Sequence, residues 1–426
     1  MIIQGKLLVD PTFEPEQGWV RIERDRIAEV AQGDPPDFGN EPPIGSPDHI
    51  ITPAFYDAHT HLPQIDAIGC DGLPLLRWLN EVVYPAEQWW GRGAAISVAR
   101  IAVRRMIREG TAGFAGYLTS HPETAHESLV WLATRTPMRF IAGRVCMDRE
   151  APDDLVAEDR RRSAMSPPPS PMMPPLADGS GRHSVSLNPR FAVSCSEELL
   201  AEVAWAWSAS SERPAARPFI QTHLAESTDE LARVRELFPD DPHYTGVYER
   251  LGLLTPKTLL AHAIHLSDDE WAAITRADSI VVHCPTANTF LQSGMFDLDA
   301  AERHSVRMAL GSDVAGGPDL AMPRVARAMI EVAKHRRMAA GDDQFVRVPS
   351  PAEAWSLITR GNAELLGWPD AGRIEVGAAA DLLVLGIPRV WHDDHLVGRL
   401  IYNWRSGFIE HRIINGILDP KISSER

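Results

Sequence analysis

His59, His61, His223, Glu226, His262 and Asp313 could do chemistry together if the fold brings them together. His59 and His61 stand two apart after the mostly apolar run Ile51 to Tyr56, in ITPAFYDAHTHLPQ. If that run is a strand, side chains alternate between its faces with period two. Both imidazoles then leave from one face and can share a metal ion; histidine suits zinc, iron or nickel. Alone, a His-x-His pair is more often two structural histidines at a strand end. The other positions change that balance. His223 ends the apolar run in FIQTHLAES, His262 the one in LLAHAIHLS, and Asp313 follows the one in ALGSDVAGG. Together they offer three or four nitrogens and a carboxylate, the donor set of a catalytic zinc or iron site with an open position for water. Glu226, just past His223, could reach both that water and a substrate nitrogen as a proton shuttle. The alternative for Glu226 is a first-turn helix acid favoured by the dipole. Ser227 already reads as the cap, which favours the shuttle. His265 reads as structural, and His283 as a residue behind the ligands.

Positioning these residues takes a barrel. Strand-like runs lead into each of them and alternate with helical patterns: Ile51 to Tyr56, Thr111 to Leu118, Arg139 to Met147, Ser184 to Phe191, Pro218 to His223, Thr258 to His262, Ser279 to His283 and Val306 to Leu310. A helix is predicted over 94–109, ending at Gly110 as C-cap. Three more helices open with capping boxes, Ser227 to Glu230, Ser267 to Glu270 and Ser350 to Glu353, the last with Pro351 at the first helical position. Eight strands alternating with helices predict an α/β fold, a (β/α)8 TIM-like barrel with its active site at the C-terminal strand ends. Both ends of the chain read differently. Gly18 to Val30 alternates like a hairpin, Asp34 to Pro47 reads as linker, and Gly372 to Leu385 and Ile409 to Leu418 are strand-like with glycine turns. The expected organisation is a barrel over 51–371 and a small β-sandwich domain built from 1–50 and 372–426. Arg160 to Arg182, with six prolines and two glycines, breaks the alternation and reads as a surface loop.

Composition narrows the function. The 426 residues are 44% hydrophobic and carry a formal net charge of -16, which disfavours a nucleic-acid surface. No window approaches the roughly 18 apolar residues of a membrane span, and MIIQGKLLVD turns polar too early for a signal peptide. Cys70, Cys146, Cys195 and Cys284 are scattered without a C-x-x-C pair, as in a reduced, cytoplasmic protein. The expected partners are a small-molecule substrate and a second copy of the chain in a homodimer, with no nucleic acid and no membrane.

Longer stretches sharpen the picture. DAHTHLPQ, LPLLRWLNEVVYPAE, RVCMD, NPRFAVSCSEELL, QTHLAES, LLAHAIHLS, HCPTANTFLQSG and GSDVAGG follow in that order. They resemble the amidohydrolase superfamily in its mononuclear deaminase branch, most closely the members that hydrolyse guanine to xanthine and ammonia. The resemblance spans nearly the whole chain; HTHLPQ, PRFAVSCS and GSDVAGG are its specific parts. It implies a barrel of the metal-dependent hydrolase type. It implies that His59, His61, His223 and Asp313 hold the metal, with His262 as a fourth nitrogen or a donor to the substrate. Glu226 would carry the proton, Asp313 would help activate the water, and Gln64, Arg190 and Phe191 would bind substrate. The residue types suit guanine. An arginine fork is the usual bidentate partner of O6 and N7, and Gln64 offers a donor and an acceptor to the N1–H and O6 side. Phe191 and Trp78 could cover the ring, though Trp78 reads equally well as core. Two-metal relatives bridge their ions with a carbamylated fourth-strand lysine. No lysine lies between Lys6 and Lys257, so one ion per chain is expected, zinc first and Fe2+ second.

Some stretches depart from the family pattern: the Pro-rich run, Pro285-Thr286-Ala287-Asn288-Thr289, and Gly110-Thr111-Ala112-Gly113. They leave open another purine such as 8-oxoguanine, a pterin or a triazine as substrate. Arg190 and Gln64, suited to a lactam edge, speak against those. A metal-free scaffold protein is the reading from another class, and the full ligand set speaks against it.

Overall fold

The computed structural model describes residues 1–36, 42–163, 181–211, 217–341 and 345–420. Eight parallel strands follow in chain order: Phe55–His61, Thr111–Tyr117, Arg139–Gly143, His183–Pro189, Phe219–Leu224, Thr258–His262, Ile280–His283 and Arg307–Leu310. Each pairs in parallel with the next. Most of their residues are buried, as strands covered on both faces must be. The predicted helix forms as Ala95–Arg108, and Gly110 follows with φ +92. All three capping boxes form reciprocally, at Ser227/Glu230, Ser267/Glu270 and Ser350/Glu353.

The barrel closes without a regular ladder between its first and last strands. Asn362 bridges them instead. Its side-chain amide donates to the Tyr56 carbonyl at 2.7 Å and the Leu310 carbonyl at 2.8 Å, and its oxygen accepts from Leu310 N–H at 2.9 Å. Asp57 adds a second clasp, accepting from Ser312 N–H at 2.9 Å and His59 N–H at 3.2 Å. Beyond them Asp313 N–H donates to the His59 carbonyl at 2.8 Å, and His61 N–H to the Val314 carbonyl at 2.9 Å.

A second, mixed sheet of seven strands runs Ile417–Leu418, Ile409–Ile414, Leu382–Leu385, Ile44–Pro53, Ile2–Leu7, Glu16–Glu23, Arg26–Gln32, with strands from both ends of the chain. It has a small core of its own around Ile3, Val20, Ile51, Leu382 and Ile413. The structure corrects some sequence readings here. The run Ile51 to Tyr56 is two strands: Ile51 to Pro53 pair with Val384 to Leu382 in this sheet, and Phe55 begins the barrel. Pro53 has no N–H to continue a ladder, and at Ala54 the chain passes from one sheet to the other. The expected linker Asp34 to Pro47 already contains strand from Ile44, and Gly372 to Leu385 is strand only over Leu382–Leu385. The helix Asp153–Ser163 runs into the start of the Pro-rich stretch; residues 164–180 lie outside the described residues. No helix among the described residues is long and apolar enough to cross a membrane.

Candidate active site

His59 and His61 sit at the end of the first barrel strand, on one face as period two requires, and their Nε2 atoms lie 3.2 Å apart. His223 comes from the fifth strand, with its Nε2 3.2 Å from that of His61. Asp313 Oδ1, from the turn after the eighth strand, lies 3.3 Å from His59 Nε2 and 3.2 Å from His61 Nε2. Tetrahedral bonds of ~2.0–2.1 Å to one ion would set neighbouring ligand atoms ~3.3 Å apart. The donor atoms already have that spacing, and the set is buried. His262, ending the sixth strand, places one ring nitrogen within 4.8 Å of the donors of His59, His223 and Asp313, so it also borders the centre.

Neighbours fix which nitrogen the rings of His223 and His262 present. His223 Nδ1 lies 2.6 Å from the Arg190 carbonyl, and His262 Nδ1 2.8 Å from Asn288 Oδ1. Each Nδ1 therefore carries the hydrogen, and each Nε2 turns a lone pair inward, as an oriented metal ligand does. Burial reinforces this. It pushes the His61 imidazole down to about 4 and the His223 imidazole well below its ordinary range, with His59 and His61 adding to the effect at His223. Neutral rings are the ones that ligate. Burial would raise Asp313, but its contacts with His59 and His61 outweigh that and hold the carboxyl well below the usual range. The result is a His3Asp-type site that could hold a divalent ion: His59, His223, His262 and Asp313 each offer one ligand atom within 4.8 Å of the others, and His61 Nε2 lies 3.2 Å from the donors of His59, His223 and Asp313. The backbone also marks it: His262 and Asp313 have φ of 71 and 48, strained values that cluster at functional sites.

Glu226 closes one side. Its Oε2 lies 3.4 Å from His262 Nε2, and its Oε1 accepts from Ser293 Oγ at 3.1 Å. Burial, and then the charge of Asp313, push its carboxyl well above the usual range, which suits a group that must take and release a proton. The cap expectation for Ser227 holds, so Glu226 is not needed there.

Across the cavity stand Gln64, Arg190, Phe191 and Trp78, together with Leu75, Leu79 and Leu291. The cavity measures ≈ 30 Å³, room for about two waters at the ~10–15 Å³ that one needs, so the side chains around it must part to admit a larger molecule. Trp78 serves as lining and core at once, with its indole N–H on the Cys70 carbonyl at 2.8 Å. Every sequence-predicted site residue thus reaches one place. His265 does not; it holds the Ser293 carbonyl at 2.8 Å, one residue removed from Glu226. His283 is buried against Phe296, 4.4 Å between ring centres, and burial lowers it to about 3.

Several residues at the site escape the sequence reading. Glu87 pairs with Arg190 and Gln64, Asn288 sets the His262 tautomer, and Ser293 holds Glu226. Glu87 lies in one of the quoted stretches, yet nothing local separates it from a surface acid. Its partner is 103 positions away.

Comparison with known proteins adds to this geometry. The family model described as "Amidohydrolase family" matches residues 50–418. The guanine deaminase of Escherichia coli (strain K12) is 32% identical over 338 residues, 79% of this chain and 73% of that one. The guanine deaminase of Dictyostelium discoideum is 34% identical over 319 residues, 74% and 68% of the two chains. The structure of a guanine deaminase from C. acetobutylicum with bound guanine superposes with a TM-score of 0.83 at 26% identity, covering 98% of this chain and 99% of that one.

Proposed function

The chain belongs to the amidohydrolase family, and from that premise we propose that its site hydrolyses the C2 amine of guanine, giving xanthine and ammonia. One observation carries the reading. Arg190 and Gln64, suited to a purine lactam edge, line one pocket with Glu226 and residues of the His3Asp centre. A purine bound between them turns O6 and N7 to Arg190 and C2 to the centre. The relatives that match over most of the chain are guanine deaminases.

We propose that His59, His61, His223 and Asp313 hold one zinc ion, with Fe2+ as the alternative occupant and His262 beside it. A bound ion of this kind supplies Lewis acidity and a water that is nucleophilic at neutral pH. The chain's residues do the rest. Glu226 takes one proton of the attacking water and delivers it to guanine N3, which keeps it in xanthine. The second water proton passes to the C2 amine as the C–N bond breaks; ammonia leaves and the oxygen stays on C2 as a carbonyl. Asp313 Oδ2, 3.7 Å from His262 Nε2, orients the water. Gln64 and Arg190 hold the far edge, and Phe191 and Trp78 cover the ring faces. None of the four cysteines is in a disulfide, consistent with a cytoplasmic enzyme.

Adenine fits poorly. Its C6 amine would meet the Arg190 donors head-on, at a cost of about 1–3 kcal/mol for an unpaired buried donor, and it carries no amine on C2. The test is ammonia release from guanine, 8-oxoguanine, adenine and cytosine by metal-loaded protein. Guanine should be the preferred substrate and adenine inert. Preference for adenine or cytosine would refute the reading.

A further inference from the structure

Glu87 belongs to no part of the mechanism above, yet it is a carboxylate buried to 1% exposure beside the pocket. Its Oε1 accepts from Gln64 Nε2 at 3.0 Å and from Arg190 Nη1 at 2.9 Å, and its Oε2 accepts from Arg190 Nη1 at 2.7 Å. It is thus the common partner of the two residues that read the purine edge. Building on the guanine reading, we propose that Glu87 is the positioning residue of substrate recognition, fixing Arg190 and Gln64 as a single donor–acceptor edge.

Three observations support this. The first is that Glu87 uses only one end of the guanidinium. Among the described hydrogen bonds Nη1 goes to Glu87, whereas Nε and Nη2 have none, and Arg190 lines the cavity. The Tyr84 ring supports the guanidinium at 5.3 Å, which restricts its tilt. The second concerns the amide of Gln64. Its oxygen accepts from Ala315 N–H at 3.3 Å while its nitrogen donates to Glu87. A carboxylate accepts and never donates, so the amide cannot turn over, and the remaining lone pair and hydrogen keep fixed places. The third is charge. The Arg190 guanidinium and the Glu87 carboxylate are both buried and meet at 2.7 Å. The pair leaves the recognition edge neutral overall, matched to an uncharged lactam. Glu87 lies on the helix Tyr84–Trp89, which follows directly from the segment bearing Leu75, Trp78 and Leu79. The residues that cover the pocket and the residue that sets its recognition edge therefore belong to one stretch of chain.

The test is Glu87→Gln, nearly isosteric and uncharged, assayed as metal-loaded protein. Guanine is compared with 2-aminopurine, which keeps the ring and the C2 amine but lacks O6. Parent turnover of guanine is measured first, and a parent inert toward guanine overturns the functional reading together with this proposal. In the variant, KM for guanine should rise ~10–100-fold, the loss of one well-placed charged hydrogen bond. Inhibition by 2-aminopurine should change less than about threefold, since it never makes that bond. A merely structural role would weaken both ligands alike, and that result, or an unchanged KM for guanine, overturns the proposal. If the variant does not fold with its metal, Arg190→Ala combined with Glu87→Gln removes both partners and leaves no orphaned charge. That double variant should lie within about threefold of Arg190→Ala alone in kcat/KM, because two residues that act through one contact are coupled and losing the second costs little once the first is gone. A further large loss would mean that Glu87 acts by another route.

Discussion

Glu226 and Arg190 are proposed for opposite work, and their surroundings separate them. Glu226 is buried beside a charged Asp313, so its carboxyl rises well above the usual range and can cycle a proton. Arg190 is buried beside a carboxylate, so its charge is kept. Glu226→Gln should therefore keep its metal and lose turnover by ~10²–10⁴-fold, the range of general acid–base groups. Elemental analysis beside steady-state rates checks this, and near-parent turnover in a metal-loaded variant would remove Glu226 from the mechanism. Arg190→Ala should lower kcat/KM for guanine ~10–100-fold with the metal in place, read from the same assays. Glu226 was legible in the sequence because it directly follows a strand that ends in a candidate ligand. Glu87, Asn288 and Ser293 were not. Their importance lies in partners dozens of residues away, and a single chain read locally gives no sign of that pairing.

The strands and helices were largely legible because each carries its own signals, such as capping boxes, apolar periodicity and a glycine stop. The closure of the barrel was not. It rests on Asn362, an amide in a helical stretch 306 positions from the carbonyl it holds at Tyr56, and on Gly311, where a Cβ would fall 2.6 Å from His59 Cβ. Asn362→Ala would orphan three buried backbone groups, at roughly 1–3 kcal/mol for each that water cannot reach. Thermal unfolding should report a clear drop in Tm; an unchanged Tm would mean that the seam holds by packing alone. Gly311→Ala forces a methyl group against a residue of the site, and overpacking of this kind costs about 1–3 kcal/mol. Its sharper signature should be lost metal occupancy, because His59 must shift. Full occupancy with a parent-like Tm would show that the seam has slack.

At the scale of the molecule, the centre is tied to the fold. Its proposed ligands come from the first, fifth and eighth strand ends, so an ion held there would join distant parts of the barrel. Chelation should lower Tm and zinc should restore it, with a stabilisation of ~4 kcal/mol when free zinc is about a thousand times its dissociation constant. A Tm indifferent to chelation would mean that the ion is not held by those strands. The sheet built from both chain ends was visible as alternating runs, but the point where the chain leaves it for the barrel was not, because Ile51 to Tyr56 is mostly apolar and only Pro53 marks the break. What joins these scales is the pose of the substrate. A structure of zinc-loaded Glu226→Gln with guanine tests it most directly. The account predicts C2 over the ion held by His59, His61, His223 and Asp313, N3 beside residue 226, and O6 and N7 on the free edge of Arg190. A ring turned with O6 or N7 toward the ion, or an Arg190 that makes no contact with it, would contradict the account.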